Sequence, residues 1–133
     1  MLSRTEHAEQ TVVITWARLQ QSLHPALRWL HSIPNGASLP FHISKSGHRK
    51  SNEAIKLKEE GMTSGICDLF LPWAARGWHG FYMEMKRPGN LSGLSENQKE
   101  FLKYLEMAGF LGQVFDDADD VIGALKWYLN LNT

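Results

Sequence analysis

The sequence predicts an α/β fold, a sheet with helices on its faces, in a single domain spanning residues 1–133. Three observations carry that reading. Apolar residues recur at helical spacing near the two ends and after residue 95. In the middle the period falls to two, over Gly80 to Lys86. The 133 residues are 43% hydrophobic and 21% charged, ordinary globular usage and enough for one core without disulfides.

The first helix is expected from about Ser3 to Leu23, with Val12, Trp16, Leu19 and Leu23 as its stripe and Ser3 with Glu6 as a capping box. Pro25 restarts the chain, and Ala26 to Leu30 suits a short helical turn. A brief extended piece precedes the turn signal Ile33-Pro-Asn-Gly36. Ala37 to Lys50 reads as loop, and a second helix covers Asn52 to Glu60, with Ala54 and Leu57 facing inward and Gly61 closing it. Cys67 to Leu71 is a short strand. In the next strand Phe81, Met83 and Met85 take one face and Tyr82, Glu84 and Lys86 the other. The seven residues from Trp73 to His79 suit an antiparallel hairpin. Ser95 and Gln98 open a third helix with a capping box, its inner face being Phe101, Leu102, Leu105 and Ala108, and Gly109 ends it. Gly112 to Phe115 is a strand, and Asp119 or Asp120 starts a last helix through Leu129.

Several classes are excluded. A single cysteine, Cys67, rules out an internal disulfide and a cysteine-rich zinc site, and reads as a small core residue. The longest apolar stretch, Ile66 to Ala75, is broken by Asp68 and Pro72, and Met-Leu-Ser-Arg-Thr-Glu-His is not a secretory leader. No membrane association and a cytoplasmic location are therefore expected. Net charge is zero, yet its distribution is polar: His42 to Lys58 carries +4, and Glu96 to Asp120 carries −5. The basic stretch is either a face for phosphates or a solvated loop.

The residues that carry chemistry are Asp68, Glu84 and Lys86. Asp68 and Glu84 share a face of the expected hairpin, and if they pair directly their Cβ atoms stand roughly 4.5–5.5 Å apart. Two carboxylates at that spacing suit one hard divalent cation, and the carbonyl of Met85 offers a third oxygen. Lys86 has the parity of Glu84, so its ammonium reaches the same place, to orient a water or stabilise charge on a phosphate. The competing reading is a structural Asp68–Lys86 ion pair with Glu84 in solvent.

The neighbouring residues form an ordered series: Gly61-Met-Thr-Ser-Gly65-Ile-Cys-Asp68-Leu, then Met83-Glu84-Met-Lys86, then Leu94-Ser95-Glu-Asn-Gln98. This series resembles the VRR-NUC (virus-type replication-repair nuclease) family of the PD-(D/E)XK superfamily. That family's pattern is a Gly-x-x-x-Gly-x-Pro-Asp-Leu strand, an Ile-Glu-x-Lys strand and a Leu-Ser-x-x-Gln helix start. The similarity runs from near Thr5 to Leu129, and the small size, without appended domains, looks like the stand-alone phage and bacterial members. Cys67 replaces the proline before the acid, which bears on strand geometry rather than chemistry.

The resemblance implies a restriction-endonuclease-like core, a central mixed sheet flanked by helices. It also implies a Mg²⁺- or Mn²⁺-dependent endonuclease that leaves 3′-hydroxyl and 5′-phosphate ends on DNA, in the setting of repair or phage replication. Asp68, Glu84 and Lys86 match the catalytic set. The metal set adds the Met85 carbonyl and an acid from the first helix. Glu6 and Glu9 both qualify; Glu6 already serves the Ser3 box and Glu9 lies nearer the apolar stripe, which assigns the role to Glu9. Gln98 matches the helix glutamine, and its capping-box role explains it equally well. Lys45, His48, Arg49 and Lys50 are the expected DNA contacts. Branched or junction DNA is the expected substrate, cut by a homodimer whose interface draws on Trp29, Trp73, Trp78 and Trp127. The alternative is a DNA-binding module that keeps the fold without catalysis.

Overall fold

The computed structural model describes residues 5–34 and 48–132, with side chains described from Asn52 onward in the second segment. The elements are α1 (Glu6–Leu19), a 3-10 turn (Pro25–Trp29), β1 (His31–Ser32), α2 (His48–Glu59), β2 (Leu69–Leu71), β3 (Phe81–Met85), α3 (Glu96–Ala108), β4 (Leu111–Phe115) and α4 (Ala118–Tyr128). The four strands lie in the order β1-β2-β3-β4. The first two pairings are antiparallel, and β3 runs parallel to β4 with α3 as the crossover. The sheet is therefore mixed and flanked by helices, as the sequence predicts.

The alternation in β3 divides the molecule into two layers. Phe81, Met83 and Met85 join Leu69 and Leu71 of β2 in one buried cluster with Val13 and Ala17 of α1 and Val121 and Leu125 of α4. On the opposite face α3 lies against β4. Gly112 admits it there: a Cβ at that position would stand 2.9 Å from Leu105 Cδ1 and 3.0 Å from Leu102 Cδ2. Gly112 pairs with Tyr82, whose ring meets Phe101 of α3 edge-on at 5.3 Å. Glu84, two residues on from Tyr82, therefore faces the α3 side.

Local signals place α3 as expected. Ser95 caps it, its Oγ accepting from Gln98 N, and Gly109 ends it at φ 87°. Ala54 and Leu57 are the half-buried positions of α2, as its spacing predicts. Other boundaries differ. The N-cap of α1 is Thr5, whose Oγ1 accepts from Ala8 N at 3.1 Å, not Ser3, which lies outside the described residues. The buried stripe of α1 is Glu9, Val13 and Ala17; Leu19 is 75% exposed and Leu23 lies beyond the helix. One cause is Gln20, the C-cap, which ends the helix early. Another is that a wide apolar face on α1 leaves two adjacent stripes to choose between, and α4 selects the one with the smaller residues. The last helix starts at Ala118 under an Asp117 cap, because the Asp117 Oδ1 accepts from Asp119 N at 2.6 Å. The second helix starts earlier than its apolar spacing shows, at His48.

Arg18 ties α1 to the sheet edge. One guanidinium nitrogen donates to the carbonyls of Leu27 at 3.0 Å and Arg28 at 2.9 Å, the other to Leu30 at 2.8 Å. Those carbonyls belong to the 3-10 turn and the residue before β1, which have little other regular bonding. Replacing Arg18 by Ala is expected to cost about 2 kcal/mol of stability, read as a lower urea midpoint. Lys is expected to recover little, because one ammonium cannot span three carbonyls.

Candidate active site

The site lies where β2 begins and β3 ends. The register ends with Leu69 opposite Met83, so Asp68, the residue before β2, comes level with the Glu84 end of β3. Asp68 is held by its backbone and its side chain together. Its carbonyl accepts from Ile33 N at 2.8 Å, and its Oδ2 accepts from Met85 N at 2.7 Å. Glu84 is 2% exposed and Lys86 is 8% exposed, so two charged groups sit inside the protein on one strand. Lys86 Nζ stands 4.0 Å from Glu84 Oε1, beyond hydrogen-bond distance.

The gap is filled by Gln98 from the first turn of α3. Its Nε2 donates to Glu84 Oε1 at 2.9 Å. Its Oε1 accepts from Lys86 Nζ and from Ser95 N, each at 2.9 Å. The other oxygen of Glu84, Oε2, is buried and has no hydrogen-bond partner. A buried carboxylate oxygen left unpaired is costly; a proton shared with Asp68 lowers that cost, and so would a cation held beside both acids. The donor chemistry, hard oxygens beside a cationic nitrogen, fits Mg²⁺ or Mn²⁺.

Electrostatics point the same way. Burial, then the charge of Asp68, push the Glu84 carboxyl up to about 8 against the pull of Lys86. Burial also raises Asp68, partly offset by the Met85 N–H. The Glu6 carboxylate on α1 raises both. Three carboxyl groups thus bear on a small volume, and their mutual repulsion on ionising is what a divalent ion would relieve. Burial pushes the Cys67 thiol well above its ordinary range, so this cysteine is packing material.

The expected residues separate as follows. Asp68, Glu84, Lys86 and Gln98 come together, and Met85 contributes its backbone to the same corner. Glu9 is buried with its carboxylate at the start of α4, where Oε2 accepts from Ala118 N at 3.3 Å, a favourable place for an anion. Among the described residues no three His, Cys, Asp or Glu side chains converge to hold a metal ion. Lys45 lies outside the described residues. His48, Arg49 and Lys50 form the first turn of α2 rather than the end of a loop.

Gly65 carries a role that its motif position alone does not reveal. It sits at φ +90°, and a Cβ there would fall 2.6 Å from the backbone C and O of Asn97. Asn97 Nδ2 also donates to Ser64 Oγ at 3.0 Å. The turn before Asp68 and the helix turn bearing Gln98 therefore touch backbone to backbone. The spacing from Gly65 to Asp68 is the visible trace of that contact.

A mixed sheet flanked by helices, with an acid, then a Glu-x-Lys, meeting at one end of its two central strands, has the form of the PD-(D/E)XK-like nuclease fold. The model of the VRR-NUC domain family matches residues 4–116, and the chain belongs to that nuclease family. It is also similar to a solved structure of a VRR_NUC domain protein, 29% identical, with a TM-score of 0.76 and coverage of 98% of this chain and 93% of that chain. No curated protein matches it.

The raised Glu84 has a consequence for stability. In the metal-free protein Glu84 holds its proton up to about 8, against 4.5 for an ordinary Glu. The folded state binds more protons between those values, so its stability falls as pH rises through that window. With a chelator present, the melting temperature is expected to drop from pH 5.5 to pH 8.5. Glu84→Gln, which cannot ionise, is expected to flatten that drop and to melt several degrees above the wild type at pH 8.5.

Proposed function

We propose that this protein is a Mg²⁺- or Mn²⁺-dependent deoxyribonuclease that hydrolyses phosphodiester bonds, with residues 1–133 acting as one nuclease domain. The observation that carries the reading is the partnerless, buried Glu84 Oε2 beside Asp68, with Lys86 within reach of the same space. Asp68, Glu84 and the Met85 carbonyl are the groups that would hold the ion. Glu6, whose charge both acids feel, takes the α1 position assigned above to Glu9. When bound, such an ion supplies Lewis acidity, withdrawing charge from a phosphate oxygen and making a water molecule more acidic. Lys86 Nζ, positioned by Gln98, supports the attacking water and balances the charge that grows on the phosphate. Asp68 is kept in place by two backbone bonds, so it needs no rearrangement to act.

The DNA is held, in this reading, by Lys45, His48, Arg49 and Lys50 through phosphates rather than bases. The substrate is branched or junction DNA inside the cell. Among the described residues no helix is long and apolar enough to cross a membrane.

Plasmid and four-way-junction DNA incubated with Mg²⁺, Mn²⁺ or EDTA test the activity. Cleavage is expected with either metal and none with EDTA. Asp68→Ala and Glu84→Ala are expected to lower cleavage at least about 1000-fold and to weaken Mn²⁺ in calorimetry, while Lys86→Ala loses cleavage and keeps the metal. A Lys86→Ala protein cutting at the wild-type rate overturns the mechanism. DNA binding without cutting under every metal condition favours the non-catalytic module instead.

A homodimer is part of the same proposal, since two sites are needed to cut a junction on both strands. Trp29, Trp73 and Trp127 are 59%, 41% and 48% exposed, and Trp78 packs partly on the core, which leaves three indoles for an interface. Sedimentation equilibrium at micromolar concentration is expected to give about twice 15.1 kDa; a mass that stays at the single-chain value rejects the dimer.

A further inference from the structure

We propose that Gln98 is a positioning residue that keeps Lys86 off Glu84 and so reserves Glu84 Oε2 for the metal; this rests on the metal-site reading above. The geometry settles the orientation of the amide. Its Oε1 faces two groups that can only donate, Lys86 Nζ and Ser95 N, each at 2.9 Å. A flipped amide would set its NH₂ against both, so the oxygen belongs there and the NH₂ belongs on Glu84 Oε1 at 2.9 Å.

Two effects follow from that placement. Glu84 Oε1 is occupied by a neutral donor, and Oε2 is left as the open oxygen. Lys86 Nζ is likewise occupied, and it stops 4.0 Å from Glu84 Oε1. Without the amide, a buried ammonium and a buried carboxylate this close collapse into a contact pair, because nothing else stands between them. Such a pair spends the anionic charge that a cation needs. Gln98 thus does more than complete the capping box with Ser95. The box adds stability to the helix end, while the amide seated between Lys86 and Glu84 sets the distance between the two charges.

The test is a double-mutant cycle on Mn²⁺ affinity, measured by calorimetry at 10 °C, with melting temperatures for each variant. Gln98→Met keeps the length of the side chain and loses all three bonds; it is expected to weaken Mn²⁺ by about tenfold. Lys86→Met alone is expected to change the affinity less than about threefold, but in the Gln98→Met background it is expected to restore most of the loss. Ser95→Ala, which frays the cap and keeps the Ser95 N–H, is expected to lower the melting temperature with Mn²⁺ affinity unchanged. A Gln98→Met protein with lowered melting temperature and wild-type affinity overturns the proposal, leaving Gln98 a helix cap. A Lys86→Met protein that alone gains tenfold also overturns it, whether or not Gln98→Met folds, since the ammonium would then already oppose the ion. Asp68→Asn separates the two readings: if it binds Mn²⁺ as tightly as the wild type, the metal site itself is elsewhere.

Discussion

Everything near the site follows from one constraint, the burial of Glu84. A carboxylate buried between a sheet and the helix that covers it is costly, and here one of its oxygens has no hydrogen-bond partner. The chain meets that cost with groups from three separate elements. Lys86 follows it on the same strand, Asp68 faces it from the start of β2, and Gln98 reaches it from α3. None of these would justify the burial alone. Together they leave one carboxylate oxygen without a hydrogen bond among several charged groups, an arrangement unlike a closed structural ion pair.

The fold is arranged to keep those elements in step. The β3–α3–β4 unit makes α3 both the crossover and the lid of the site face. Backbone contact at Gly65 and Asn97 joins the first turn of α3 to the turn before Asp68. The apolar layer of α1 and α4 lies on the other side of the sheet and supplies stability. Glu9 belongs to that layer, anchored at the start of α4, while Glu6 at the first turn of α1 projects its charge toward the acids.

How much of this was legible depends on whether the signal was local. The period of two in β3 and the Ser95–Gln98 box are set by neighbours within a few residues, and the structure has both. The parity of Asp68, Glu84 and Lys86 followed from the hairpin, so their convergence could be read before any coordinates. The stripe of α1 could not, because Val12, Trp16 and Leu19 make as good a face as Val13 and Ala17 until α4 chooses between them. The acid of α1 went with that stripe: Glu9 follows the buried face, which is why it is spent on a helix terminus. The bonds of Gln98 to Lys86 and Glu84 link residues 12 and 14 positions away, and no spacing rule reports an amide wedged between two charges.

The two connections leaving β3 are unequal in what they tolerate. On one side the hairpin from Pro72 to Gly80 turns at an exposed tip with Gly77 at φ 86° and open space around it. An added residue is tolerated only at that glycine, since beside it Arg76 donates to the Trp127 carbonyl at 2.7 Å and the Tyr128 hydroxyl donates to the Trp73 carbonyl at 2.6 Å. On the other side the link from Lys86 to Ser95 acts as a ruler. It is braced midway where Gly89 N donates to Asp116 Oδ2 at 2.9 Å, and it ends on the residue that caps α3. One residue more or fewer would rotate the first turn of the helix and carry the amide away from both charges. The length of this link should therefore vary little among relatives, and a tag or insertion belongs at the Gly77 tip, outside the bonded flanks.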